Sequence, residues 1–450
     1  MQKVPLSIPE PPVLHRAKWV VPVSSPPISN GAVLTHMGRI LAAGPFPEVR
    51  RASPAGARPA DHGPAALFPA LVNAHTHLEL SGLKGRIPFP QPGFPQWIEL
   101  LFSLRAAMAE DYTDESLRLG LAELLAGGTA LCADITNGGT VENKVSAPAV
   151  ALRPAPEAAG NLAVALPPDG PAVHPGCGSA TWRPHRPERQ IFIELLGFNL
   201  DSISAAMPPG VDLTGANAAF SALVPHSVYS VSPAIIAESK KWTRDRGLPF
   251  SIHVAEHREE IEFLRTGKGF CRELLDSLGR WDPRWTPPGK TPVEYLDGLG
   301  ALDSETLLVH AVHMTRSDWA VVAKRDCTAV FCPRSNRNLG SGVPQIDLAL
   351  SLGIKCALGT DSLASNTDLN LFAEAAFTLA SHPSIDPQRV IEMITINPAR
   401  ALGRKGGPGS IEPGAEAHIL AVAVPSGVEE SNLCEALVQS GKEGTWTWIN

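Results

Sequence analysis

Phe68-Pro69-Ala70-Leu71-Val72-Asn73-Ala74-His75-Thr76-His77-Leu78-Glu79-Leu80 opens on an apolar run and closes on two histidines one residue apart. The run from Phe68 to Asn73 reads as a buried strand, and residues two apart on a strand face the same way. His75 and His77 then stand side by side at the strand's end, which is how half of a zinc site is built. A single His-x-His is more often a chance pair on a solvated strand. Three further polar positions, each at the end of a later apolar strand, decide for the metal.

Apolar runs of strand length recur with helical segments between them, at 68–73, 130–135, 191–196, 222–225, 249–254, 306–310, 328–332 and 355–359. Eight strands alternating with helices predict an α/β fold, a closed (β/α)8 TIM-type barrel. The helices carry ordinary punctuation. Thr113, Asp114 and Glu115 open one that Gly127 and Gly128 end, and another runs from near Glu256 to Gly267. Short β-rich pieces at 19–23 and 32–35 precede the barrel, and strand-and-turn text at 409–414 and 418–424 follows it. The two ends are expected to pair into a small β-sandwich domain, 1–66 with 405–450, leaving 67–404 as the barrel.

One segment, 144–187, is rich in proline and alanine and lacks either periodicity where a barrel helix should follow the second strand. It reads as an irregular excursion. Its composition is also that of a locally shifted reading frame in GC-rich DNA, which resequencing the source DNA tests.

A chain of 450 residues with 44% hydrophobic content buries a large core. The net charge of -7 comes without a sustained basic stripe, so neither nucleic acid nor an anionic membrane is an expected partner. A small-molecule substrate is, with a homodimer left open. Seven scattered cysteines without knuckle or redox spacing fit a reducing cytoplasm. The N-terminal stretch has no apolar signal region, and no run of about 20 apolar residues occurs.

The remaining ligands follow in order. The fifth strand ends in His253, with Glu256 one turn later, and the eighth ends in Asp361. His253 and Asp361 complete a set with His75 and His77, while Glu256 suits a proton shuttle better than a ligand. His310, at the end of the sixth strand, stands beside the metal to orient or polarise substrate. His226, after the fourth strand, is placed to bind substrate, and His313 to be structural. All fall at the C-terminal strand ends, where such barrels carry their chemistry.

This set, with Cys332-Pro333-Arg334-Ser335-Asn336-Arg337-Asn338-Leu339-Gly340 and the stretch 359–366, resembles the amidohydrolase superfamily over nearly the whole chain, in its branch of cytosine, guanine, S-adenosylhomocysteine and aminodeoxyfutalosine deaminases and triazine chlorohydrolases. The words Leu78-Glu79-Leu80-Ser81 and Phe94-Pro95-Gln96-Trp97-Ile98 are most similar to the aminodeoxyfutalosine side. Relatives usually have Gly where Ala70 stands and an Ala-Asp pair where Ala417 and His418 stand, and neither position touches the expected site.

The resemblance implies one divalent ion, because the fourth strand offers no bridging Lys or Glu near Val224. Zinc is expected, and iron suits the same ligands. It implies hydrolytic deamination of an adenosine derivative (aminodeoxyfutalosine, methylthioadenosine or S-adenosylhomocysteine), with catalytic Glu256 protonating a ring nitrogen, Asp361 handling the water proton and His310 steadying the oxyanion. Trp97, His226 and the loop residues Arg334, Ser335, Asn336 and Arg337 are the expected substrate contacts. Two rivals remain open at this stage: a chlorohydrolase or amidase on the same site, which would release no ammonia from an adenosine analogue, and an inactive barrel acting as a binding subunit, which metal analysis separates.

Overall fold

The computed structural model describes residues 11–108, 112–137, 187–211, 213 and 221–449, so the excursion read at 144–187 lies, but for Pro187, outside the described residues. In chain order the strands are β1 (Val13–Val20), β2 (Ile28–His36), β3 (Arg39–Pro45), β4 (Arg58–Asp61), β5 (Ala66–Pro69), β6 (Leu71–Thr76), β7 (Thr129–Thr136), β8 (Glu188–Leu195), β9 (Ser221–Pro225), β10 (Phe250–Val254), β11 (Thr306–His310), β12 (Thr328–Phe331), β13 (Lys355–Leu358), β14 (Ile419–Val422) and β15 (Trp446–Ile449).

Strands β6 to β13 are the eight expected from the apolar runs, and they form two four-stranded parallel sheets, β6-β7-β8-β9 and β10-β11-β12-β13. No single ladder joins the sheets. They meet at two seams, where Ser227 bridges His253 in parallel and the Asp361 N–H donates to the His75 carbonyl at 3.1 Å. Val72, Leu131, Phe192, Val224, Val309, Val330 and Ala357, drawn from both sheets, share one buried cluster. The alternate residues Ile191, Leu223, Ile252, Phe331 and Leu358 are buried in a second cluster that includes helix residues such as Ile235, Leu296 and Trp319. Burial on both faces is why these strands read as unbroken apolar runs rather than alternating ones.

The helices between them begin and end where their punctuation says. Tyr112–Ala126 is followed by Gly127 and Gly128. Arg258–Thr266 starts from His257, whose Nδ1 accepts from the Glu260 N–H, and stops at Gly267 with φ +70°.

The run from Phe68 to Asn73 is not one strand. Its first half, β5, pairs with β1 and with β14, and its second half, β6, opens the parallel set. The two ends of the chain do come together, in one seven-stranded sheet of order β15-β14-β5-β1-β2-β3 with β4 beside β1. That pairing is edge to edge within a single sheet, where a sandwich of two was expected. No helix among the described residues is long and apolar enough to cross a membrane.

Candidate active site

The pairing of β6 with β7 slips between Asn73 and Thr76, a bulge of the kind that re-aims side chains at a sheet's rim. Here the Asn73 amide ties the strand to its neighbour: Oδ1 accepts from the His75 and Thr360 N–H groups, each at 3.2 Å, and Nδ2 donates to Thr360 Oγ1 at 2.7 Å. Gly359 makes the approach possible. A Cβ on it would lie 2.8 Å from His75 Cβ and from the His75 carbonyl oxygen.

Four groups converge beyond these strand ends. His75 Nε2 lies 3.3 Å from His253 Nε2 and 3.8 Å from Asp361 Oδ1, and His77 Nε2 lies 3.7 Å from the same oxygen. Ligands held about 2.0–2.2 Å from one ion stand at roughly such separations from one another. The tautomers agree. His253 Nδ1 donates to the His226 carbonyl at 2.9 Å, which leaves Nε2 as a lone pair. Asp361 Oδ2 is taken by the hydroxyls of Ser335 at 2.6 Å and Ser365 at 2.8 Å, which leaves Oδ1 open.

Burial, reinforced by neighbouring imidazoles, holds His75 well below the usual histidine range. It takes His77 down to about 3, against the pull of Asp361. Asp361 stays low although burial opposes it, because His310, His77 and the two serine hydroxyls favour its charge. Neutral imidazoles and an ionised carboxylate are the donor states a divalent ion needs, and an N3O set suits zinc or iron. His75, His77, His253 and Asp361 therefore fit the expected ion.

Glu256 follows Ala255, whose φ of +49° turns the chain off β10. Its Oε1 stands 3.7 Å from His310 Nε2. Burial first, then the charges of Asp361 and Glu260, push its carboxyl well above the ordinary range. Glu260 fixes this turn by accepting from the Ala255 and Glu256 N–H groups, both at 3.0 Å. His310, Ala311 and Asp361 also have positive φ, which concentrates backbone strain at the site. With the Asn336 amide donating to His310 Nδ1 at 3.0 Å, His310 Nε2 carries the proton and points as a donor.

A cavity of about 150 Å³ opens at these groups, lined by His77, Glu256, His310 and Asp361 and by Trp97 and His226. Trp97 is anchored by Nε1 donating to the Ala364 carbonyl, and His226 by Nδ1 at 2.7 Å from Ser230 Oγ. The four loop residues expected to touch substrate are not among those lining this cavity. Arg334 forks onto Asp368 with its guanidinium at 2.7 and 2.8 Å, and Arg337 lies over the Phe377 ring. Ser335 and Asn336 are occupied in orienting Asp361 and His310. The helix Pro333–Asn338 thus faces the site through its polar side chains and turns its arginines away. His313 is also absent from the cavity lining and belongs to a separate surface recess beside Gly342.

Reading the sequence overlooked Glu79, Glu194, Asn137 and Glu260. Glu79 stands two residues after His77 and Glu194 is the penultimate residue of β8, so position near a strand end was their available signal.

The sequence pattern described as the amidohydrolase family matches residues 66–444. An aminodeoxyfutalosine deaminase of Deinococcus radiodurans is 31% identical over 401 residues, covering 83% of this chain and 82% of that protein. Among solved structures, aminofutalosine deaminase of Helicobacter pylori in complex with methylthio-coformycin superposes with a TM-score of 0.75 at 19% identity, over 97% of each chain. A zinc-bound adenosine deaminase of Xanthomonas campestris gives 0.68 at 21% identity, over 95% of this chain and 90% of the other.

Proposed function

The chain belongs to the amidohydrolase family, and on that footing we propose that it is a hydrolytic deaminase of an adenosine derivative, releasing ammonia from the 6-amino carbon. The observation that carries this is Glu256 Oε1 standing 3.7 Å from His310 Nε2, with both residues lining one cavity together with His77 and Asp361. Replacing a ring amino group by water needs a proton delivered to the ring nitrogen, a proton removed from water, and a donor for the oxygen that develops charge. Glu256, Asp361 and His310 supply these in turn.

What an ion held by His75, His77, His253 and Asp361 contributes is Lewis acidity, which brings the pKa of water toward about 7. Zinc is the metal we assign, with iron compatible. Glu256 gives its proton to the ring nitrogen adjacent to the reacting carbon and takes one back from the new hydroxyl as the carbon–nitrogen bond breaks. Asp361 Oδ1 takes a proton from the attacking water and passes it to the departing amine, while Ser335 and Ser365 keep Oδ2 from turning. His310 Nε2–H donates to the new oxygen.

The substrate choice follows the cavity. Leu101, Leu274 and Leu275 are apolar lining residues, with Arg105 and Arg280 also in the lining. That favours a nucleoside whose 5′ substituent is apolar and ends in an anionic group, and it places aminodeoxyfutalosine ahead of methylthioadenosine and S-adenosylhomocysteine. We further propose that the two parallel sheets act as one closed barrel, 67–404, carried beside a minor unit of 1–66 and 405–450. The substitution Glu256→Gln tests the mechanism. It should keep the metal and lower the rate on the order of 100- to 10,000-fold, and full activity in that variant would refute the assignment.

A further inference from the structure

One wall of the cavity has a feature that the deamination chemistry leaves unused. Glu194, the penultimate residue of β8, has 4% of its surface exposed. Its Oε2 accepts from Asn137 Nδ2 at 3.2 Å, and its Oε1 has no hydrogen-bond partner among the described residues. The neighbouring His253 Nδ1 is 3.7 Å away and already spends its proton on the His226 carbonyl at 2.9 Å. The same Asn137 amide donates to Glu79 Oε1 at 3.2 Å, and Glu79 Oε2 takes the Asn137 N–H and the Thr136 hydroxyl, each at 2.9 Å.

Both protons of the Asn137 amide are thus consumed by carboxylates, so what this wall offers a ligand is acceptors. A buried acceptor left unpaired is costly, and a ligand hydroxyl relieves it. The nearby cation, Arg105, lies on the Glu79 side, its Nη2 3.6 Å from Glu79 Oε1, so the open acceptor of this wall is Glu194 Oε1. A furanose diol presents two donors at the spacing a carboxylate accepts.

We infer that Glu194, positioned by Asn137 against Glu79, is a specificity-determining residue that reads the ribose hydroxyls of the substrate. The inference rests on the nucleoside deaminase reading above. It separates Glu194 from a role confined to steadying the metal ligand His253. A steadying residue would be felt equally by every substrate, whereas a hydroxyl-reading one is felt only by substrates that carry the hydroxyl.

The test uses the zinc-loaded enzyme, an adenosine derivative that it deaminates, and the 2′-deoxy and 3′-deoxy analogues of that derivative. For the unaltered enzyme, kcat/KM should fall on the order of 10- to 100-fold when a hydroxyl that Glu194 reads is removed. In Glu194→Gln the ribose substrate should lose a similar factor, chiefly through KM, while the deoxy analogue is turned over within about 3-fold of its rate with the unaltered enzyme, and bound metal is unchanged.

An equal loss on ribose and deoxy substrates, or loss of metal from the variant, overturns the inference and leaves the deaminase reading standing. Equal turnover of all three compounds by the unaltered enzyme does the same without needing the variant to fold. Release of ammonia from none of the adenosine derivatives overturns the deaminase reading, and the inference with it.

Discussion

Gly359 packs against His75 so closely that the space for its side chain is filled by the histidine's own backbone and Cβ, 2.8 to 2.9 Å from where a Cβ would stand. The residue following β13 therefore sets the position of the first proposed metal ligand. Gly359→Ala should push the β6 terminus outward at a cost of about 1–3 kcal/mol. Bound metal should fall below that of the unaltered protein and kcat should drop by at least about 10-fold. Metal analysis and steady-state kinetics on one sample check this, and unchanged values would show that the strand end has room to spare.

The turn after the two histidines hangs on Asp134. Its Oδ1 accepts the Leu78 N–H at 3.0 Å, and its Oδ2 takes the Arg189 Nε at 2.8 Å. Both side chains are buried. Removing one member of a buried ion pair leaves the other charge uncompensated, so Asp134→Ala should cost about 3–5 kcal/mol, and Asp134→Ala with Arg189→Met much less. Denaturant midpoints of the two variants decide it, and equal destabilisation by both would show that the charge pair is not the cause.

How much of this could be read beforehand depends on what each residue needed from a distant partner. The eight strands announced themselves because burial on both faces makes each an apolar run. The expected ligands lie at or just beyond the ends of those runs, and the structure brings His75 within 3.3 Å of His253 and within 3.8 Å of Asp361, with His77 3.7 Å from the same carboxylate oxygen. β8 begins earlier than its apolar text because Glu188, Arg189 and Gln190 belong to the strand. Arg189 looks like loop chemistry until Asp134 is seen opposite it. The break within Phe68–Asn73 was hidden for a related reason, since apolarity does not say which of two sheets a residue joins. Arg334 and Arg337 were misplaced because spacing along a short helix does not tell which side faces the cavity. Glu194 was missed because a lone carboxylate near a strand end has no meaning until Asn137 and Glu79 are beside it.

Acid should weaken the sheet built from the two chain ends. His15 is buried between Thr35 and His62, both 3.1 Å from its ring nitrogens. Burial, then the charges of His62 and Arg58, bring it down to about 4. The unfolded chain takes up a proton near pH 6.5 that the folded chain refuses until about 4. Stability from this group is thus complete above about 6.5 and lost as the pH falls through that window, by about 2 kcal/mol between pH 7 and 5. The variant His15→Gln should show a shallower fall over the same interval. An unchanged pH slope would place the acid sensitivity elsewhere.

The most direct measurement is ammonia release by purified, metal-quantified protein against aminodeoxyfutalosine, methylthioadenosine, S-adenosylhomocysteine, adenosine, guanine and cytosine. The geometry of His75, His77, His253 and Asp361, with Glu256 beside His310, predicts about one divalent ion per chain and stoichiometric ammonia from an adenosine derivative. A chain that holds its ion and releases no ammonia from any adenosine derivative would contradict the account.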